Sequence, residues 1–316
     1  MRICFMGTPQ EAVPSLVRLV RAGREVVACV TAPAAAAGRG QKPVEPPVAV
    51  AARSLGLEVI QTRDVNSLSE QLRQHSLDAT VVVAFGQILS PAILALPRLG
   101  AFNVHFSLLP QYRGAAPVQR ALLAGEKTTG VTVMAMNPEV DAGDILLQEA
   151  CSIQDYDNCL TLKTKLAWLG ADLLLRALAL AETGALPRQA QLASTTPRAT
   201  KLKKKELLID WEQPAERIWG LVRAAAPLPG AFTYLGGKRT QVLQGRPLGM
   251  PTAPALPGEI ISCLKDGILV ASGEGGFLLQ EVKPEGRKRM AAVEFLRGTN
   301  ITPGDRLNVP RGGQDG

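Results

Sequence analysis

The sequence lacks three features that would indicate a membrane protein, a secreted protein or a disulfide-rich protein. No stretch approaches the ~20 uninterrupted apolar residues that a membrane-spanning helix needs. The segment MRICFMGTP has no long apolar region followed by a small-residue cleavage site, as a secretory signal would. The five cysteines form no C-x-x-C pair, which argues against a zinc cluster or a disulfide framework. We therefore expect a cytoplasmic protein with no membrane segment, whose cysteines are small buried hydrophobic residues.

The charge of the chain is uneven along its length. Residues 1–190 hold 17 Lys and Arg against 16 Asp and Glu, a net charge of +1. Of the totals of 35 and 28, this leaves 18 against 12 for residues 191–316, a net charge of +6. A basic C-terminal part suggests a polyanionic partner, with a merely solubilising surface charge as the alternative.

Short apolar, β-branched segments alternate with helical patterns in the first half of the chain. These segments are RICFMG at 2–7, EVVACVTA at 25–32, ATVVVAFG at 79–86, FNVHF at 102–106 and GVTVMAM at 130–136. They predict an α/β domain with a Rossmann-like, mostly parallel sheet covered by helices on both faces. No G-x-G-x-x-G follows the first segment, so a dinucleotide site is not expected.

The character of the sequence changes after a long helical pattern at about 158–183. Pro, Ser and Thr followed by lysines predict a basic linker at 190–205. Two β-rich stretches with Gly-containing turns, at 229–248 and 259–284, predict hairpins and a small OB-like β-barrel. The predicted domains are therefore a catalytic domain at 1–189 and a barrel at 206–316, and we expect a monomer.

One of the two histidines lies where a buried strand is predicted to end. His105 and Asn103 fall on the same side of that strand and can converge at the carboxyl edge, where such sheets bind ligands. A hydrogen-bonded structural pair is the alternative. Asp141 and Asp144 follow in VDAGDILLQ, although turn residues are commonly of this type. A metal site built from His105, Asp141 and Asp144 is not expected, because no third neutral ligand or metal-binding spacing is present.

Asn103, His105 and Asp141 together suit a reaction through a tetrahedral intermediate. A carboxamide N–H and an imidazolium can both donate to a developing oxyanion. The aspartate can orient the imidazole and help pass protons through water. No G-x-S-x-G nucleophile motif is present, so direct attack by an acceptor is favoured over a covalent enzyme intermediate.

These residues lie in motifs that resemble those of the 10-formyltetrahydrofolate-dependent formyltransferases. N-V-H is followed by SLLPQYRGAAP at 107–117, and D-A-G-D begins 36 residues after the histidine. The resemblance extends from Arg2 to about Leu307. It implies transfer of a formyl group from 10-formyltetrahydrofolate to an amine, without a metal, and catalytic roles for Asn103, His105 and Asp141. Simple core packing is the alternative for the apolar members of the folate-binding set that it also implies, which is Phe85, Gly86, Gln87, Ile88, Leu89, Ser107, Leu108, Leu109 and Pro110.

Further motifs resemble the branch of this family whose acceptor is initiator methionyl-tRNA, used in translation initiation. The loop TAPAAAAGRGQKPVEPPV at 31–48 resembles an A-G-R-G-K-K insertion of that branch, although alanines at 34–37 replace the usual Asp-Arg-Pro. KLKKKELLIDWEQPAERI at 201–218 and LVRAAAPLPGAFTYLGGKR at 221–239 resemble its I-D-W and P-x-P-G-A-F-T signatures. The implied tRNA-binding residues are Arg39, Lys42, Lys201, Lys203, Lys204 and Lys205.

Three other functions are compatible with the sequence. A formyltransferase acting on an amino sugar nucleotide could couple the same catalytic domain to a barrel-like segment. A hydrolase could use the same three residues to release formate to water. A non-catalytic RNA-binding protein on an enzyme scaffold is the third, and intact Asn103, His105 and Asp141 argue against it.

Overall fold

The computed structural model describes residues 1–37, 42–249, 255–299 and 301–308. Contacts between residues divide the chain into two compact units. The first unit comprises Met1–Pro117, Thr128–Ile153 and Lys163–Thr200, and the second comprises Val118–Lys127, Gln154–Leu162 and Lys201–Gly316. The sequence-based domain boundaries at 189 and 206 stay predictions.

A seven-stranded sheet forms the centre of the first unit in the described part of the chain. The strands of this unit are β1 Arg2–Gly7, β2 Glu25–Thr31, β3 Ala35–Ala37, β4 Lys42–Val44, β5 Val59–Gln61, β6 Ala79–Val83, β7 Ala101–His105, β8 Thr128–Ala135 and β9 Ile145–Ser152. The order across the sheet is β5-β2-β1-β6-β7-β8-β9, while β3 and β4 form a separate hairpin. Each pair of neighbouring strands from β5 to β7 is parallel, whereas β8 is antiparallel to both of its neighbours, β7 and β9. The predicted mostly parallel sheet is therefore confirmed.

Helices cover the sheet, and the last helix of the first unit packs on one face of β7, which leaves the opposite face of that strand for a site. The helices of the first half are α1 Val13–Arg21, α2 Pro47–Ser54, α3 Ser69–Arg73, α4 Pro91–Leu94, α5 Pro117–Ala124 and α6 Cys159–Glu182. A Cβ at Gly170 of α6 would lie 2.6 Å from Val104 Cγ1, so α6 packs tightly on the Val104 face of β7. Asn103 and His105 alternate with Val104 and therefore face the other side of the sheet. None of the helices in the described ranges has both the length and the apolar character needed to cross a membrane.

The second unit contains an antiparallel sheet with its own hydrophobic core. Besides most of α5, its elements are α7 Ala215–Ala225, β10 Ala231–Leu235, β11 Lys238–Leu248, β12 Ile260–Leu264, β13 Gly267–Ala271, β14 Gly276–Pro284, β15 Met290–Ala291 and α8 Ala292–Arg297. The order is β10-β11-β14-β13-β12, and β15 pairs with β14. Trp211 lies in the core, where its indole N–H donates to Thr233 and its ring meets Phe277 edge-on. The predicted small, OB-like β domain is confirmed.

The cysteines differ in exposure more than the sequence predicts. Cys4 and Cys29 are buried in β1 and β2, but Cys263 in β12 is exposed. Burial raises the pKa of both buried thiols, that of Cys29 to about 12, so neither forms the reactive thiolate at neutral pH. The interpretation of all five cysteines as buried hydrophobic residues is wrong for the exposed Cys263 and for Cys151, which is half-buried.

We therefore expect a maleimide reagent to modify Cys263 rapidly in the folded protein, and Cys4 and Cys29 only after unfolding. Mass spectrometry of labelled peptides measures the rate at each site. Cys263→Ser should remove the fast labelling of that peptide and leave the labelling of the half-buried Cys151 unchanged. Labelling of Cys4 or Cys29 at the rate of Cys263 under native conditions would contradict the burial of these two thiols.

Candidate active site

Asn103 and His105 lie side by side on the face of β7 that α6 leaves free. The sequence places both in a five-residue apolar strand, where residues two apart share a face. His105 is buried, whereas Asn103 is half-buried. Among the described residues, the carboxamide of Asn103 has no hydrogen-bond partner in the protein, so its N–H groups are available to a ligand.

Both nitrogens of the His105 imidazole face an oxygen atom. Nε2 lies 3.1 Å from the carbonyl oxygen of Tyr112, and Nδ1 lies 3.7 Å from Oδ1 of Asp141. Because a carbonyl oxygen only accepts, Nε2 carries a proton in this arrangement. In the neutral ring, the lone pair is therefore on Nδ1, next to Asp141. Nδ1 is the nitrogen that can take up and return a proton.

Asp141 reaches His105 by a route that the strand order does not suggest. Strand β8 is antiparallel to β7, and His105, the last residue of β7, pairs with Thr132 in the middle of β8. The 136–144 loop leaves the far end of β8 and must fold back along the sheet to bring Asp141 to the imidazole. Asp141 has a left-handed backbone (φ 55°), and its Oδ2 accepts from the N–H of Gly114 at 2.8 Å. Gly143 is required in this turn, since a Cβ would lie 1.7 Å from the carbonyl oxygen of Ala135.

Residues that sequence reasoning assigned to the linker contact this site directly. Gln191 donates to the carbonyl oxygens of Asp141 and Gly143, and Thr196 accepts from the N–H of Tyr112. The backbone of Ala199 pairs with Arg113 and Ala116. Composition gave no signal for these contacts, because Pro, Ser and Thr are common in unstructured segments as well.

The folate-binding residues implied at 85–89 differ strongly in accessibility. Phe85 and Leu89 are buried in a hydrophobic cluster with neighbours such as Met6 and Val82. The carboxamide of Gln87 bonds the backbone of Thr62 and Val65. Ile88 is 68% exposed, and Gly86 has a left-handed backbone with open space around its Cα. This loop follows β6, whose Val82 pairs with Asn103, so it starts beside the site.

The implied folate-flanking loop, Ser107 to Pro110, is held by polar residues that sequence reasoning missed. Thr132 donates to the carbonyl oxygen of Ser107 (2.7 Å) and accepts from the N–H of Leu109 (3.0 Å). Gln148 donates both to Thr132 and to the carbonyl oxygen of Leu109. Ser107 and Leu109 are buried, whereas Leu108 and Pro110 are half-buried. These hydrogen bonds fix the conformation of the loop that follows His105.

Asp144 does not join the site. Its carboxylate lies 3.5 Å from Nε of Arg188, and its backbone carbonyl accepts from Ala135. Within the ranges that the structure describes, no group of three or more His, Cys, Asp or Glu side chains could hold a metal ion. Of the two aspartates in the D-A-G-D motif, only Asp141 faces His105.

The implied tRNA-binding residues are exposed wherever the structure describes them. Lys42 lies on the β3–β4 hairpin of the first unit, and Arg39 lies outside the described residues. Lys201, Lys203, Lys204 and Lys205 lie at the start of the last segment of the second unit and are all exposed. Glu206 fixes this run: its carboxylate accepts from Arg120 and from the N–H of Lys203, and both contacts lower the pKa of Glu206.

An aromatic and basic patch on the second unit adjoins the lysine run. Phe232 and Tyr234 lie two residues apart on β10 and therefore share a face of the sheet. Arg239 on β11 is the direct partner of Tyr234 and lies on the same face. The guanidinium carbon of Arg239 lies 4.1 Å from the ring centre of Phe232, and Tyr234 is 38% exposed. Leu208, which follows the lysine run, forms an isolated backbone β-bridge with Phe232. Aromatic and basic side chains on one face of a sheet are typical of single-stranded nucleic-acid binding.

The site combines a free carboxamide donor, a histidine with an available nitrogen, and a carboxylate beside it. Such a set can stabilise an oxyanion and move a proton without a covalent intermediate. Residues 1–178 match the formyl transferase family model, and residues 201–300 match that of the formyl transferase C-terminal domain. The chain therefore belongs to the formyl transferase family.

Relatives within this family share almost the whole chain. It is 42% identical to the methionyl-tRNA formyltransferase of Geobacter metallireducens, over 97% of this chain and 98% of the relative. It is 45% identical to the methionyl-tRNA formyltransferase of Heliobacterium modesticaldum, over 97% of this chain and 100% of the relative. Both units are therefore included in the similarity.

Solved structures of more distant proteins share the fold. HypX from Aquifex aeolicus, in complex with tetrahydrofolic acid, is 16% identical with a TM-score of 0.66 over 94% of this chain and 47% of its own. An N-formyltransferase from Helicobacter canadensis, in complex with folinic acid and dTDP-3-aminofucose, is 17% identical with a TM-score of 0.63 over 88% of this chain and 98% of its own. At these identities the similarity concerns the fold.

Proposed function

We propose that this protein transfers the formyl group of 10-formyltetrahydrofolate to the α-amino group of methionine on initiator methionyl-tRNA. The reaction is supported by one observation above all: His105 and Asp141 are 3.7 Å apart beside the free carboxamide of Asn103. The acceptor is supported by 40–45% identity to methionyl-tRNA formyltransferases over nearly the full chain.

The residues around the site fit a folate donor. Asn103 offers N–H groups without a protein partner, and the loop from Ser107 to Pro110 is fixed by Thr132 and Gln148. On the other side of Asn103, the 85–89 loop offers the exposed Ile88 and the open backbone of Gly86. We infer that Phe85 and Leu89 support this loop from the core and do not touch the ligand.

Each of the three residues has a role in the proposed reaction. The donor supplies an activated formyl carbon, and the uncharged α-amine of methionine attacks it, since a free α-amine has a pKa of about 7.7–8.0. Asn103 donates to the oxygen that becomes negative, and His105 donates to the same oxygen from Nδ1 once that nitrogen has taken up a proton. Asp141 holds His105 and passes the proton from the amine nitrogen, through water, to the folate nitrogen as the C–N bond to folate breaks.

The lysine run and the aromatic–basic patch are the proposed tRNA-binding surface of the second unit, with Arg39 and Lys42 contributing from the first. Lysine contacts to phosphates release counterions, so RNA affinity falls with salt in proportion to their number. Lys201, Lys203, Lys204 and Lys205 are exposed and would track the RNA backbone. We place the protein in the cytoplasm as a monomer.

Removal of two of these lysines should flatten the salt dependence of tRNA binding. We expect Lys204→Ala/Lys205→Ala to lower the slope of log Kd against log salt concentration by about 1–2, at roughly 0.7–0.9 for each phosphate contact. Filter binding of tRNA over a salt series measures it. Lys265→Ala, an exposed lysine on the β12–β13 turn, is the control. An unchanged slope in the double variant would exclude phosphate contacts by these two lysines.

Comparison of acceptors tests the proposed function. The kcat/KM for formyl transfer from 10-formyltetrahydrofolate is measured with methionine-charged initiator tRNA, uncharged tRNA and an amino sugar nucleotide. We expect transfer to the charged tRNA alone. Transfer to the sugar, or formate release without any acceptor, would support one of the alternative activities and overturn the acceptor assignment.

A further inference from the structure

The carboxamide of Gln191 is bound at both ends by the loops of the site. Its Nε2 donates to the carbonyl oxygens of Asp141 (3.0 Å) and Gly143 (2.6 Å), and its Oε1 accepts from Nε of Arg113 (2.9 Å). Because the carbonyls only accept and the guanidinium only donates, these neighbours fix the orientation of the carboxamide. Gln191 thereby joins the turn that carries Asp141 to the loop that follows His105.

Thr196 and Ala199 hold the second loop from the same segment. Thr196 Oγ1 accepts from the N–H of Tyr112 at 2.8 Å, and the carbonyl of Tyr112 binds His105 Nε2. Ala199 donates to the carbonyl of Arg113 at 2.7 Å and accepts from the N–H of Ala116 at 2.8 Å. Gly114 lies between these two contacts, so close that a Cβ would be 2.9 Å from the Ala199 oxygen, and its N–H binds Asp141.

Two residues of the site have a backbone conformation that needs such support. Tyr112 (φ 58°) and Asp141 (φ 55°) are both left-handed, which residues other than glycine rarely adopt. Such conformations persist where the surrounding contacts over-determine them, and they concentrate at functional sites. Thr196 binds the backbone of the first, and Gln191 binds the backbone of the second.

We propose that the segment 189–200, called the strap, positions His105 and Asp141 for catalysis through two of its side chains, Gln191 and Thr196, which are the positioning residues. Gln191 holds the carboxylate turn, and Thr196 holds the carbonyl that fixes the tautomer of His105. The same segment continues into the lysine run at 201–205. The proposal is tested by two measurements. The first, of enzyme activity (the activity arm), rests on the proposed formyl transfer, whereas the second, of the His105 tautomer, does not.

The activity arm compares four isosteric substitutions. Gln191→Glu removes the N–H donor to two carbonyls, and Thr196→Val removes the hydroxyl that holds Tyr112. Gln189→Glu and Thr195→Val are the matched controls, because both side chains are exposed and make no hydrogen bond among the described residues. We expect kcat to fall about 10²-fold in Gln191→Glu and in Thr196→Val, as for an ångström-scale misplacement. The KM for the formyl donor should be unchanged, both controls should match wild type, and Thr196→Ser should restore kcat.

The second arm observes His105 directly and needs no activity. The chain has two histidines, so the ring nitrogen resonances of ¹⁵N-labelled protein report His105, with His75 as the internal reference. In the neutral ring we expect the Nε2–H form for His105 in wild type and in Thr195→Val. Thr196→Val should mix in the Nδ1–H form, whereas His75 should not change.

Two results would overturn the proposal. One is kcat in Gln191→Glu and Thr196→Val equal to that of the controls. The other is an unchanged His105 tautomer in folded Thr196→Val. Thermal unfolding identifies variants that do not fold, and Gln191→Met, which keeps the side-chain length but removes the hydrogen bonds to Asp141, Gly143 and Arg113, then replaces Gln191→Glu. If wild type did not formylate methionyl-tRNA at all, the tautomer measurement would still decide the role of Thr196.

Discussion

Asn103→Ala is expected to lower the single-turnover rate of formyl transfer by about 10²–10³, the usual effect of losing one oxyanion donor. The carboxamide has no hydrogen-bond partner in the described residues, so its removal leaves no protein group unsatisfied. The fold and the melting temperature should therefore hardly change. Rapid-quench measurement with saturating donor and methionyl-tRNA gives the rate of the chemical step.

Two further variants sharpen this prediction. Asn103→Asp keeps the shape of the side chain but removes the N–H donor, and it should be as slow as Asn103→Ala. Asn137→Ala is the control, since in the described part of the chain that exposed side chain accepts only a local N–H, from Glu139. A folded Asn103→Ala variant with a near-normal rate would remove Asn103 from the mechanism.

Asp141→Asn is expected to lower the same rate by about 10²–10⁴, the range for loss of a general acid–base partner. Asparagine tolerates the left-handed backbone of this position and can still accept from the N–H of Gly114. What it removes is the negative charge 3.7 Å from Nδ1 of His105. The substitution therefore tests the charge of the carboxylate with little disturbance of the turn.

Asp144→Asn provides the matched control for Asp141. It makes the same chemical change three residues away, at a carboxylate that lies beside Arg188 and not beside His105. We expect wild-type rates for Asp144→Asn. Equal losses in both variants would indicate damage to the shared turn and would contradict a specific role for Asp141.

The sequence was sufficient to predict those parts of the site that depend on local pattern. Alternation within FNVHF places Asn103 and His105 on one face, and β7 has them there. Apolar segments buried along their whole length, such as ATVVV in β6, predicted strands covered on both faces. The burial of Phe85 and Leu89 follows the core-packing alternative, which the sequence left open.

The remaining features depend on contacts between distant parts of the chain. Nothing in GVTVMAM indicates that β8 is antiparallel to β7, so the path by which Asp141 returns to His105 was not foreseeable. Gln191 and Thr196 lie 50 and 84 residues from the backbone groups that they bind, at Asp141 and Tyr112. The pairing of Tyr234 with Arg239 likewise becomes visible only once the register of β10 and β11 is known.

The most direct test follows a single turnover with a ¹³C-labelled formyl group on 10-formyltetrahydrofolate and methionine-charged initiator tRNA. The product is released from the tRNA by mild base and identified by mass spectrometry. We expect N-formylmethionine that carries the label in its formyl group, with no labelled formate and no label on the protein. Labelled formate with unmodified methionine, or a formylated protein residue, would contradict direct transfer to the amine at Asn103, His105 and Asp141.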